Sequence, residues 1–132
     1  MPGTPTTNLN LTIPTVGGDV GQWGGELNGN FQTLDGAIAL AVLNVSASTA
    51  INLLPNVGLL VRATGGSAGI SITLPSATGS TRPVTIKKVD AGAGAVNVLG
   101  GLDGFNPWTL VNQYQYVTIV PNGSTYDVIG NN

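Results

Sequence analysis

The chain has 132 residues and a formal net charge of −2, and only 8% of its residues are charged. Because globular domains average about 25% charged residues, the surface must be built largely from Asn, Thr, Ser, Gln and Gly. Four basic residues leave no basic face for a phosphate backbone, so we expect no nucleic-acid partner.

The chain contains neither cysteine nor histidine. It therefore lacks the thiol nucleophile, the usual general base and the commonest metal ligand, and we expect no cofactor and no metal site. No apolar run approaches the ~20 residues of a membrane helix, and the N-terminus has no basic region followed by an apolar core. We expect a soluble chain that does not contact a membrane.

Residues 1–18 are predicted to form an extended arm. Leu9, Leu11 and Ile13 alternate with polar residues, which is the period of a half-buried strand, and Pro14 ends the run. The sequence places no hairpin partner nearby, so we expect the arm to add a strand to a neighbouring subunit or to another protein. A disordered tail is the alternative.

Residues 19–43 are predicted to form an amphipathic helix, with the helical segment spanning Asp19 to Val42. Asp19 is expected to cap the first turn, with Gln22 reaching back. Large apolar residues recur at steps of three and four and form one stripe: Val20, Trp23, Leu27, Phe31, Leu34, Ile38 and Ala41. We expect this stripe to be the interface of a self-associating helix bundle, and the alternative is packing against the sheet of the same chain.

Glycine weakens this helix. Gly21, Gly24, Gly25, Gly29 and Gly36 together cost roughly 4–5 kcal/mol relative to alanine, so packing must offset the loss. Three of them, Gly21, Gly25 and Gly29, are spaced by four residues and are predicted to form a line where another backbone approaches closely.

Residues 44–132 are predicted to form a compact antiparallel β module, because short alternating runs are separated by Gly, Pro and Asn. The expected strands are Ala50–Leu54, Gly58–Ala63, Gly69–Leu74, Val84–Val89, Ala95–Leu99, Trp108–Val111, Gln115–Val120 and Thr125–Ile129. Asn122-Gly123 between the last two predicts a tight hairpin. The runs beginning at Ile51 and Ile72 resemble each other, but too weakly to predict a repeat.

The acidic residues predict no catalytic pair. They are Asp19, Glu26, Asp35, Asp90, Asp103 and Asp127, and most of them lie beside glycine or in expected turns. We expect no enzymatic activity, although a paired-carboxylate glycosidase built between subunits is an alternative. Lys87 and Lys88 should point to opposite faces of one strand, with one of them pairing with a carboxylate or crossing a subunit boundary.

Aromatic residues concentrate near the end of the chain, with Phe105 close to Trp108, Tyr114 and Tyr116. Tyr114 and Tyr116 are predicted to share one strand face, which favours a packed core or interface surface. Contact of Trp108, Tyr114 and Tyr116 with a glycan is the alternative.

Two regions of the chain resemble bacteriophage proteins. The run from Asn8 to Gly18, with Trp23, Leu27-Asn28, Asn30-Phe31 and Leu34-Asp35, resembles the leader of small virion proteins of the tail-fibre and head-decoration type. The runs Ile72–Ala77, Val84–Asp90 and Tyr116–Val120 are similar to the β modules of phage fibres and surface appendages. Together they cover most of the chain, and the resemblance implies a homotrimeric structural protein on the virion surface.

Two functional classes fit this resemblance. The first is a capsid decoration or cement protein, whose arm binds the major capsid protein or another virion protein and whose trimer stabilises the shell. The second is a short tail-fibre or receptor-binding appendage that contacts a host-surface glycan or protein. A single helix and a compact module extend only a short way from an attachment point, which favours the decoration protein.

Overall fold

The structure, a computed structural model, describes residues 4–5, 11–13, 21–38, 40–53, 57–78 and 82–132. These residues are mainly β, with one helix and mixed sheets, which confirms the predicted class. The chain divides into two compact units, Met1–Ala39 and Leu40–Asn132. We refer to them as the N-terminal unit and the β module.

The N-terminal unit combines a short strand pair with the helix. Strand β1 (Thr4–Pro5) pairs antiparallel with β2 (Thr12–Ile13), and helix α1 spans Trp23–Ile38. The Gln22 carbonyl accepts hydrogen bonds from Gly25 N at 2.9 Å and from Glu26 N at 3.1 Å, which starts the helix. The Glu26 carboxylate lies in the first turn, where it interacts favourably with the helix dipole.

Helix α1 is shorter than the prediction at both ends. Its predicted cap, Asp19, and the first stripe residue, Val20, lie outside the described residues. At the other end, strand β3 (Leu40–Val45) replaces the predicted last helical turn, so the assignment of Ala41 to the helix stripe is wrong. Apolar residues continue at helical spacing into Leu40–Val45, but this segment forms a strand because it pairs with a neighbouring strand and buries Val45.

The β module consists of two sheets within the described residues. The remaining strands are β4 (Thr49–Ala50), β5 (Gly58–Ala63), β6 (Ile70–Thr73), β7 (Val84–Lys88), β8 (Val96–Leu99), β9 (Trp108–Leu110), β10 (Tyr116–Pro121) and β11 (Tyr126–Asn131). The first sheet has the order β11-β10-β7-β5-β3 and the second has the order β4-β6-β8-β9. In both sheets, the strand nearest the N-terminus of the module lies at one edge and the strand nearest its C-terminus lies at the other.

The first six strands of the β module alternate between the two sheets. Strands β3, β5 and β7 are parallel in the first sheet, and β4, β6 and β8 are parallel in the second. In the described ranges the chain thus makes three successive turns, each adding one strand to each sheet, as in a short solenoid. Two parallel neighbours in one sheet need a crossover connection between them, and here a strand of the other sheet forms part of that connection.

The prediction of an antiparallel module is therefore wrong for these six strands. Antiparallel pairing occurs where the chain closes the module, between β8 and β9, between β7 and β10, and between β10 and β11. Alternation of apolar and polar residues marks a half-buried strand in either orientation, so the sequence pattern did not distinguish them.

The core lies between the two sheets. Inward-facing residues alternate along each strand, as in β7, where Val84, Ile86 and Lys88 are buried and the intervening residues are half-buried. The fully buried apolar residues come mostly from strands of both sheets: Val61, Ala63, Ile72, Ile86, Val96, Val98, Leu102, Leu110, Val117, Ile119 and Tyr126. The Tyr126 hydroxyl donates to Pro75 O at 2.9 Å, and burial raises the pKa of this phenol.

Candidate functional site

The apolar stripe of helix α1 is exposed within the chain. Trp23 is 62% exposed, Leu27 is 41% exposed and Phe31 is 59% exposed, and their four-residue spacing puts them on one face. Leu34 is half-buried, while the side chain of Ile38 lies outside the described part. Contiguous apolar surface of this kind marks an interaction site more often than isolated exposed residues do.

Two of the three predicted close-packing glycines lie in the helix. Apart from the adjacent residues and the nearby backbone of the helix itself, no atom of the described residues lies within 4 Å of the position that a Cβ would take at Gly25 or Gly29. Gly21 precedes the helix and has a φ of +80°, so its assignment to the same helical line is wrong. Close packing on Gly25 and Gly29 by another chain stays a prediction.

The arm contacts the helix. Asn30 Oδ1 accepts a hydrogen bond from Thr12 N at 2.7 Å, and Asn30 Nδ2 donates to Thr12 O at 2.9 Å. The expectation that the arm strand has no partner nearby is therefore wrong. Thr4–Pro5 pairs antiparallel with Thr12–Ile13, and the Asn30 amide side chain satisfies both backbone groups of Thr12. Ile13 is exposed, Leu11 is half-buried and Leu9 lies outside the described residues.

Lys88 forms a buried ion pair in the β module. Its side chain is fully buried, and Nζ donates to Asp90 Oδ1 at 2.7 Å, to Asp90 O at 3.1 Å and to Gly92 O at 2.9 Å. All three ammonium donors are thus satisfied. The predicted pairing of one lysine of Lys87-Lys88 with a carboxylate is confirmed.

The Asp90 carboxylate joins two neighbouring loops of the solenoid. It accepts hydrogen bonds from Gly65 N at 2.9 Å, from Gly66 N at 3.0 Å and from Gly92 N at 3.1 Å. The hydrogen bond from Lys88, together with that from Gly65 N, holds the pKa of the Asp90 carboxyl well below its usual range. Because both members of the pair are saturated with partners, their role is structural and they offer no free base or nucleophile.

The two loops approach each other too closely for side chains. A Cβ at Gly92 would collide with the backbone of Gly66, and a Cβ at Gly94 would collide with the backbone of Gly69. Glycine is therefore required sterically at these positions, and the Asp90 carboxylate binds backbone N–H groups that the close approach brings together.

Two further carboxylates have structural partners. Asp103 Oδ2 accepts a hydrogen bond from Val128 N at 3.2 Å, and Asp127 Oδ1 accepts one from Asn122 Nδ2 at 2.6 Å. Within the described ranges, no group of acidic residues is arranged to hold a metal ion. In that same part of the chain, no helix is long and apolar enough to cross a bilayer.

The aromatic residues divide between two places. Tyr114 has a φ of 66° in the turn before β10, and its ring lies 5.2 Å from the Lys87 ammonium. Tyr116 is the first residue of β10 and pairs with Lys87 across the sheet. The prediction that the two tyrosines share a strand face is wrong, because the left-handed conformation of Tyr114 interrupts the alternation before the strand begins.

Trp108 lies elsewhere, in a groove with Phe105. The two rings meet edge to face, with centroids 5.5 Å apart and planes at 84°. The groove has a volume of about 380 Å³. It is lined by Phe105, Trp108, Thr109, Gln115, Asn131 and Asn132, together with Pro107. Of the three predicted glycan contacts only Trp108 lies here; its neighbours Gln115, Asn131 and Asn132 were missed because no local pattern links them to it.

A second, larger groove lies at the opposite end of the β module. It has a volume of about 620 Å³ and is formed by the first turn of the solenoid, with Ala41, Leu43, Val45, Ile51 and Leu59 among its lining residues. Strand β3 is the sheet edge at this end, and Leu40 and Val42 are also exposed on it. Exposed apolar side chains of β3 therefore lie beside this groove, where the winding begins.

No protein-family model matches this chain, and no curated protein or solved structure matches it significantly.

Proposed function

We propose that the chain is a non-enzymatic structural protein of a bacteriophage virion, and that it assembles as a homotrimer which decorates and stabilises the capsid. The proposal combines the sequence resemblance with the exposed apolar surfaces of the folded chain. Its partners are further copies of itself and the major capsid protein or another virion protein.

The observation that carries the proposal is the exposed stripe of Trp23, Leu27 and Phe31. Burying a large apolar side chain contributes about 1.5–3 kcal/mol, so a helix that presents three of them gains substantially by association. The unoccupied positions beside Gly25 and Gly29 would let the backbones of neighbouring helices approach closely. Both features support a helix seam between copies.

The use of charge in the β module supports a structural role. Lys88 and Asp90 neutralise each other between two loops, and Asp103 and Asp127 hold turns through hydrogen bonds. These carboxylates rigidify the fold.

The arm is the proposed attachment segment. Its Thr12 backbone is held by Asn30, which positions the neighbouring residue Ile13 with an exposed apolar side chain. In this proposal the Thr12 end of the arm is held next to the helix, and the exposed side chain of Ile13 contacts the capsid protein.

A copy count in purified particles tests the proposal. A decoration protein should be present in numbers comparable with those of the major capsid protein, because the shell repeats the same binding site many times. Quantitative mass spectrometry of particles, normalised to that protein, measures the ratio. A count in the range of tail proteins would contradict the capsid role and support a tail appendage.

A further inference from the structure

We propose that the groove between Phe105 and Trp108 is a binding site for a neutral saccharide. The inference concerns the β module alone and does not rest on the capsid role. It follows from how the two rings are held, which polar groups surround them, and the absence of charged side chains among the lining residues.

The loop that carries Phe105 is held rigidly. Leu102 N donates to Phe105 O at 2.9 Å and Phe105 N donates to Leu102 O at 2.7 Å, which closes a two-residue turn. Asp103 and Gly104 within it have φ values of 45° and 85°, as a type I′ turn requires. Asp103 N also donates to Tyr126 O at 3.0 Å, which fastens the turn to β11.

These hydrogen bonds fix the backbone of Phe105, whose side chain is 60% exposed and contacts the Trp108 ring. Because Phe105 and Trp108 meet at 84°, they form two walls of a corner rather than a flat stack. The carbon-bound hydrogens on one face of a sugar ring are attracted to the electron-rich face of an aromatic ring. A preformed corner of this kind orders few groups on binding, which favours a small ligand.

The opposite side of the groove supplies amides. Gln115 Oε1 accepts from Val111 N at 2.7 Å and from Asn112 N at 3.2 Å, which fixes the side chain and leaves its NH₂ group for a ligand. Asn132 Oδ1 accepts from Tyr116 N at 2.9 Å and likewise leaves its NH₂ group. Among the described residues, none hydrogen-bonds the side chain of Asn131.

These amides fit hydroxyl groups. The Asn131 amide can both donate and accept, while the NH₂ groups of Gln115 and Asn132 donate, and a sugar hydroxyl both donates and accepts. A polyproline peptide offers this groove only carbonyl acceptors. Single-stranded nucleic acid also stacks on aromatic rings, but its sites include cations for the backbone, and none lines this groove.

The test uses the full-length chain carrying Trp23→Phe, which leaves Trp108 as the only indole. Fluorescence titration with maltotriose, cellotriose and galactobiose measures saturable shifts of its emission. Sialyllactose serves as the anionic probe, and an oligoproline peptide serves as the polyproline probe. The variants are Phe105→Ala and Asn131→Ala, and Tyr114→Ala is the matched control, an exposed aromatic residue on the same module outside the groove.

At least one neutral oligosaccharide should bind, and Phe105→Ala should weaken it by about tenfold or more, as expected when a stacking ring is lost. Asn131→Ala should weaken it severalfold, and Tyr114→Ala should leave it unchanged. Unaltered thermal unfolding of the variants checks their fold. The proposal is overturned if none of the neutral sugars binds, if the peptide or sialyllactose binds more tightly, or if Tyr114→Ala is as damaging as Phe105→Ala.

Discussion

Replacement of Lys88 by methionine should destabilise the β module strongly. The substitution keeps most of the side-chain length but removes all three hydrogen-bond donors. In the wild type, Lys88 Nζ lies 2.7 to 3.1 Å from three acceptors, Asp90 Oδ1, Asp90 O and Gly92 O. In the variant each of these oxygens loses this donor. The Asp90 charge also loses the cation that compensates it.

The magnitude follows from the burial of the pair. The Asp90 side chain keeps 19% of its exposure and retains three backbone N–H donors, so water and the loop still solvate part of its charge. The cost of Lys88→Met should therefore lie at the lower end of the ~3–5 kcal/mol range for breaking a buried pair, at about 3 kcal/mol. At ~4–8 °C per kcal/mol for a domain of this size, Tm should fall by roughly 12–24 °C.

Thermal unfolding followed by circular dichroism measures the change, with Lys87→Met as the matched control. Lys87 lies on the opposite face of the same strand, where it contacts the Tyr114 ring, a contact that contributes about 0.5–1 kcal/mol at an exposed site. A decrease in Tm for Lys88→Met no larger than that for Lys87→Met would refute the reasoning, because it would mean that the buried ammonium is dispensable.

Four further outcomes are expected. Leu27→Asp should convert the proposed trimer into monomers in light scattering, because an unpaired charge in a buried seam is costly, and an unchanged mass would move the seam elsewhere. Gly25→Ala should also weaken the proposed trimer, although alanine favours an isolated helix by ~1 kcal/mol. A more stable assembly would contradict close backbone packing. Gly94→Ala should lower Tm, because its Cβ would overlap backbone atoms, and overpacking of this kind costs ~1–3 kcal/mol. Folding lowers the pKa of Asp90, so the ionised Asp90 carboxylate should stabilise the fold fully above the ordinary aspartate pKa of ~3.9. This stabilisation should be lost as the pH falls below that value. Acid unfolding of the wild type and of Lys88→Met should therefore show a weaker pH dependence in the variant.

Strand positions and the last turn could be predicted from the sequence. The expected strands Gly58–Ala63 and Val84–Val89 correspond to β5 (Gly58–Ala63) and β7 (Val84–Lys88). The hairpin expected at Asn122-Gly123 joins β10 and β11, with Asn122 N donating to Thr125 O at 3.0 Å. These features depend on alternation and turn chemistry within a few residues, which the sequence displays directly.

The stacking of successive turns could not be predicted in the same way. The similarity between the runs at Ile51 and Ile72 aligns these two residues, whereas the structure pairs Thr49 with Ile72 and Ala50 with Thr73. The true register thus differs from the apparent one by two residues. Because side chains alternate with a period of two, a shift of two keeps the same residues inward, and the apolar pattern alone does not choose between the registers.

The sequence by itself determined the scarcity of charge, the β class, the presence of a helix and most strand positions, because these follow from composition and local periodicity. Tertiary structure decided that the helix ends at Ile38, that six strands wind in parallel, and that Phe105 and Trp108 face Asn131. Each of these depends on contacts between segments far apart in the chain. Such contacts form because they bury the most apolar surface with every backbone group paired, and that balance is reached only by the whole fold.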